Sequence, residues 1–220
     1  MYTMMVAAMK RTVIAVDIMK QNIDFIKTSL RLMNLTGTVE FVLNAISDQY
    51  ETLYPVFEEE NNGGSSKAVN EMEGSVGRAV TSVTLSDILS VIPSSTYIIK
   101  TDIQGYDCRA LSDERLYTSD YFIPVIFMEW EPQKPLCSHV VDVLMAHGYE
   151  AFAMPDNNLN KDCLKELEKF TESGSMDIIW IHKNSNRNWI EPEKLVVKGC
   201  SYNTESHVIS YSVPGSKNKN

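Results

Sequence analysis

Three acidic residues stand at or near the ends of apolar runs, where a carboxylate can do chemistry. Asp17 closes residues 12–17 (TVIAVD), Asp102 closes 96–102 (TYIIKTD), and Glu129 lies next to the end of 122–130 (FIPVIFMEW). An acid at a strand tip can accept hydrogen bonds from both hydroxyls of a ribose, in an adenosyl ligand or a dinucleotide alike. It can also remove a proton from a reacting hydroxyl. Each position has a plainer reading as a solvated or helix-capping acid.

The richest segment is IIKTDIQGYDCRAL, residues 98–111. An apolar strand delivers Asp102 to its tip, and Gly105 then permits a close turn into a helix. Lys100 would otherwise be a residue that solvates its own strand end. Glu129 and Glu131 straddle Trp130, so in an extended segment the two acids share a face and the indole takes the other. A turn after the strand would separate them, which favours Glu129 as the pocket residue and Trp130 as packing or a substrate platform.

The elements that must position these groups alternate in type. Residues 2–10 read as a short helix and 12–17 as a buried strand. Residues 20–34 place Ile23, Ile26, Leu30 and Met33 on one helical stripe, and 38–47 form a second strand. Strand, helix and strand within about thirty residues make one βαβ unit. Residues 57–79 are acidic, Gly- and Ser-rich and aperiodic, which predicts a long surface loop without core contacts. Beyond it come a short helix opened by Thr84 and Asp87, the strand at 96–102, a helix over 107–116, and the strand at 122–130. A helix over 136–147 stopped by Gly148, strands at 149–154 and 177–183, and a charged helix at 161–170 complete the order. The expected fold is an α/β sandwich around a mostly parallel sheet, with Asp17, Asp102 and Glu129 on one rim. Residues 1–185 are expected to form one domain and 186–220 a polar, partly mobile extension.

Composition narrows the partners. A formal charge of -9 with no basic patch repels phosphate backbones, so nucleic acid is not an expected partner. No run approaches the ~20 apolar residues of a membrane span. Cys108, Cys137, Cys163 and Cys200 form no CxxC pair, which predicts reduced structural thiols. His139, His147, His182 and His207 show no ligand spacing, so no metal site is expected. The Asn34-Leu35-Thr36 sequon has meaning only in a secreted chain and is otherwise a chance occurrence. Localisation stays open, with the cytoplasm as the default, and the sequence carries no signal of oligomeric state.

The 98–111 segment resembles the signature of the FkbM-type methyltransferases, a strand followed by Lys-x-Asp-x-Glu-Gly and then a helix. Lys100, Asp102 and Gly105 are in register, and Gln104 replaces the glutamate. The segment at 83–89 before that strand, the strand at 122–130 and the helix stop at 146–150 fall in matching order, VIAVD resembles the family's second strand, and LNAISD (43–48) the segment after its third. The resemblance covers roughly residues 2–183. It implies a Rossmann-like class I methyltransferase domain, with S-adenosylmethionine as cofactor and a small-molecule, sugar or lipid-type hydroxyl as acceptor. It implies ribose binding by Asp17, adenine contacts near Asn44 and Ala45, and rim functions for Asp102 and Glu129. One of those acids would serve as base, and either could instead hold the methionine amino group. The family opens with a strand and a glycine turn that this chain does not contain, so a truncated domain is expected. The missing strand would be central, leaving ladder groups of its neighbours unpaired. A non-catalytic binding domain of the same descent is the alternative. A nicotinamide-dependent oxidoreductase would need a GxGxxG turn, and Gly63, Gly64, Gly74 and Gly77 lie in the long loop instead.

Overall fold

The computed structural model describes residues 2–35, 39–57, 66–92, 94–130, 136–153, 176–185, 200–203 and 208–211. The chain divides into two compact units, residues 1–84 and 85–220.

In the first unit, α1 (Tyr2–Ala8) precedes β1 (Val13–Asp17), α2 (Lys20–Leu32) and β2 (Val39–Leu43). The βαβ expectation holds: β1 and β2 pair in parallel from Val13 opposite Val39 to Asp17 opposite Leu43. The stripe on α2 buries Ile23 and Leu30, each worth roughly 1.5–3 kcal/mol of apolar transfer. Met33 stays exposed, because the helix has ended one residue earlier.

The expected long loop is in part a sheet. Strand β3 (Thr52–Phe57) lies between β4 (Ser66–Val69) and β5 (Val80–Thr81), antiparallel to both. Leu53 is fully buried, and the buried Ser82 hydroxyl accepts from Glu51 N and donates to Gln49 O. Residues 58–65, the centre of the expected loop, lie outside the described residues.

In the second unit, α3 (Leu85–Val91) leads to β6 (Thr96–Thr101), α4 (Asp107–Leu111), α5 (Arg115–Thr118), β7 (Phe122–Trp130), α6 (Leu136–Ala146), β8 (Tyr149–Ala153) and β9 (Met176–His182). The sheet order is β6-β7-β9-β8. Only β6 and β7 run parallel there, and β9 is antiparallel to both its neighbours. The sheets are therefore mixed, not mostly parallel, because β9 enters between β7 and β8 in the reverse direction. Among the described residues β1 pairs with β2 alone and β6 with β7 alone.

Strand β7 is the spine of this unit. Ile123, Val125, Ile126, Met128 and Trp130 are all buried, as a strand covered on both faces requires. Trp180 is buried opposite Ile126 in the β7–β9 ladder, with its Nε1 donating to Met128 Sδ. Helix α6 covers the sheet with Val140, Val141 and Leu144, and stops at Gly148, whose φ of +84° suits glycine. The predicted helix over 107–116 is two short helices. Asp113 lies between them and accepts from the backbone N–H and the Nε of Arg115, the first residue of α5, which favours a local turn over a continuous helix.

The expectation of reduced thiols is overturned for two cysteines. Cys108 on α4 and Cys137 on α6 form a disulfide, 29 residues apart in sequence with Cα atoms 5.1 Å apart. Sequence spacing is blind to such a pair, because the packing of α4 on α6 creates it.

The charged helix at 161–170 lies outside the described residues. Where the sequence predicts a mobile tail, β10 (Cys200–Asn203) and β11 (Val208–Tyr211) form an antiparallel pair, and β10 lies beside β8. Among the described residues no helix is long and apolar enough to cross a membrane.

Candidate functional site

Parallel pairing brings two of the predicted acids together. The last β6–β7 register pair is Thr101 with Met128, so the next step along both chains sets Asp102 beside Glu129. Side chains in register on a parallel ladder point to the same face. The two carboxyls thus stand side by side at the strand ends.

The turn that follows β6 completes the cluster. Gln104 and Gly105 are successive left-handed residues, with φ of +51° and +86°. Glycine takes that conformation without strain, whereas a glutamine adopts it at a cost of roughly 1 kcal/mol. The contorted backbone carries the Gln104 side chain back over the strand ends. Its Nε2 donates to Asp102 Oδ1 at 3.1 Å and to Glu129 Oε2 at 3.0 Å. One amide thus bridges both acids.

Lys100 supplies the balancing charge. Its Nζ is 3.3 Å from Asp102 Oδ2 and 4.0 Å from Asp177 Oδ1, and it donates to Thr101 O at 2.8 Å. Burial would raise the Asp102 pKa, but the hydrogen bond with Glu129, the Lys100 charge and the bonds from Lys100 and Gln104 outweigh it. The carboxyl is held below its ordinary value. Its side chain is 52% exposed, so it stays open to a ligand.

Beneath the turn sits Asp107, only 1% exposed. Its Oδ2 accepts from Ile103 N at 3.3 Å and fastens the turn to the first residue of α4. The Thr101 hydroxyl faces it without closing an aligned hydrogen bond, leaving Asp107 Oδ1 and Thr101 Oγ1 unsatisfied. Desolvation is the main reason its pKa rises to about 6, and the nearby Asp102 charge adds to it.

Sequence reasoning missed Asp107, Asp177 and the bridging role of Gln104. Asp177 enters because β9 pairs antiparallel with β7 and sets it opposite Glu129. Trp130 is buried, which makes it packing, not a platform. Glu131 lies outside the described residues.

The other predicted site residues belong to the first unit. Asp17, half-buried at the tip of β1, accepts from Met19 N at 2.7 Å and from Asn22 Nδ2 at 3.0 Å. Burial raises its pKa, and these two hydrogen bonds oppose the rise. The acid therefore organises the start of α2 whatever else it binds. Asn44 donates to Thr81 O at 2.6 Å, and Ala45 is buried beside it. Among the described residues no group of three His, Cys, Asp or Glu side chains could hold a metal ion.

Residues 5–151 match the Methyltransferase FkbM domain. The chain belongs to the FkbM methyltransferase family. That span holds β1, β2, β6 and β7 together with Asp17, Asn44, Ala45, Asp102 and Glu129. The chain matches no curated protein and no solved structure. In this FkbM domain the neutral Gln104 satisfies the two acids with amide donors, where an ionised glutamate could not donate at all.

Proposed function

We propose that this FkbM domain binds S-adenosylmethionine and methylates a hydroxyl of a small-molecule, sugar or lipid-type acceptor. The observation that carries the reading is the Asp102–Gln104–Glu129 cluster at the ends of two adjacent parallel strands, inside the family-matched span. Each unit offers groups that such a cofactor would use. Asp102 and Glu129 offer paired carboxyls suited to an ammonium group, and the Asp102 side chain is half exposed. Each oxygen of Asp17 takes one hydrogen bond, which leaves acceptor capacity for ribose hydroxyls. Asn44 and Ala45 are assigned to the adenine.

When bound, the cofactor supplies a methyl group already activated by its sulfonium. The chain's own work is alignment and proton handling. Asp102, held deprotonated by Lys100 and Gln104, is the first candidate to take the acceptor's proton, and Glu129 is the second. The acid not used as base holds the amino group.

A catalytically inactive binding domain is the second reading, favoured by one observation: Gln104 stands where the family signature has glutamate. Calorimetric titration of S-adenosylhomocysteine into the chain, and into Asp17→Ala and Asp102→Asn variants shown by circular dichroism to be folded, tests the first reading. Micromolar binding, weakened at least ~10-fold in each variant, supports it. No binding by the folded chain refutes it. Binding without methyl transfer to any hydroxyl acceptor supports the second reading.

A further inference from the structure

The two segments that leave the site acids are joined by a covalent bond. Asp102 is followed by the turn and α4, which carries Cys108. Glu129 is followed, after β7, by α6, which carries Cys137 in its first turn. The disulfide therefore closes a loop that contains α5 and all of β7, and ties α4, which follows the turn, to α6. Both cysteines are buried, at 0% and 2% exposure, on two helices that pack together.

We infer that Cys108 and Cys137 are a modification site, oxidised once during maturation in a thiol-oxidising compartment, and that their disulfide is a permanent clamp on the turn carrying Asp102 and Gln104. The balance is simple. Two Sγ–H bonds break and one Sγ–Sγ bond forms, while two protons and two electrons pass to the disulfide of a thiol–disulfide oxidoreductase, which becomes a dithiol. The Cα separation of 5.1 Å lies in the range that a disulfide spans without backbone movement. Burial then removes the sulfurs from exchange, since an attacking thiolate must reach one of them. A catalytic or sensing pair would need an exposed, low-pKa sulfur, and neither cysteine is exposed. Stable disulfides of this kind accumulate in oxidising compartments and not in the cytosol. A second feature agrees with that route. The Asn-x-Thr sequon begins at Asn34, which is exposed at the end of α2 in a left-handed conformation.

The clamp is independent of cofactor binding, so its failure is distinguishable from failure of the functional reading. The chain would be expressed through an oxidising secretory route, alkylated without reduction, digested and analysed by mass spectrometry. The expected result is a Cys108 peptide linked to a Cys137 peptide. Reduction, or the Cys108→Ala and Cys137→Ala pair, is expected to lower the melting temperature by about 10 °C, with no further response of the paired variant to reductant. Hydrogen exchange at Ile103 to Tyr106 is expected to quicken at least ~10-fold in the reduced chain, with β8 unchanged. Alkylation of both cysteines in the folded chain would overturn the inference, as would linkage of either to Cys163 or Cys200. Unchanged exchange at the turn in the reduced chain would overturn the clamp. If the paired variant does not fold, the mapping and the reduction of the wild-type chain still decide.

Discussion

Asp107 makes stability depend on pH in a direction opposite to that of most carboxylates. Its pKa is raised from 3.8 to about 6, chiefly by desolvation, and the group is nearly wholly buried. Below the unfolded value both states carry the proton, and the residue contributes no pH dependence. Between the two values the folded state keeps the proton and the unfolded chain releases it, so stability falls as pH rises. Above the folded value the loss is complete. The interval from 3.8 to about 6 corresponds to about 3 kcal/mol at 1.36 kcal/mol for each tenfold change in proton affinity. Asp107→Asn cannot ionise, yet its amide oxygen can still accept from Ile103 N. The variant is therefore expected to gain about 3 kcal/mol on the wild type as pH rises from about 4 to about 7, whatever their offset at low pH. Urea denaturation at a series of pH values, followed by the fluorescence of the buried Trp130 and Trp180, measures it. Taking the difference between the two proteins cancels the contributions of Asp17 and Asp113, neither of which acts on Asp107. A difference that stays constant across the range would show that Asp107 is already ionised at little cost, and the reasoning about the turn would fail.

Three further outcomes follow from the geometry. Gln104→Glu replaces two amide donations by a third carboxylate, so stability should drop by about 1–2 kcal/mol at pH 7 and recover towards pH 4.5, as paired denaturation curves would reveal. Gly148→Ala should cost about 1–2 kcal/mol in the same assay; the new Cβ would meet Lys183 Cε at 2.9 Å, but that flexible end can move, and the cost lies in the φ of +84°. Gly77→Ala should cost about 1–3 kcal/mol, because its Cβ would come within 2.7 Å of the Pro55 ring, which cannot swing away. A thermal melt within 1 °C of wild type would contradict that close approach.

Much of the second unit was legible because its elements are driven by simple patterns. The β-branched run of β6, the apolar run of β7 and the Gly148 stop on α6 each announce themselves through a single local signal. The missed elements lack one. Pro55 sits inside β3, where the ladder loses a donor, and β4 follows a Gly-rich stretch, so neither strand has the expected pattern. The mixed direction of the sheet was hidden as well. Residues 177–183 read as a strand from composition, but direction depends on how the chain returns to the sheet, which composition does not encode.

The same division explains the candidate site. That Asp102 and Glu129 stand at strand ends is a local fact; that they share one glutamine depends on register. Parallel pairing of Thr101 with Met128 makes their adjacency follow with no further adjustment, and a shift by one residue would send one acid to the opposite face. The left-handed pair at Gln104 and Gly105 then decides which side chain reaches both acids. Gly105 alone could be read in the sequence as a turn. Gln104 could not, because its φ of +51° is imposed by the turn that Asp107 and the α4–α6 disulfide hold in place, not by any preference of glutamine. The candidate site thus lies at strand tips, and its geometry is set by two buried groups behind them.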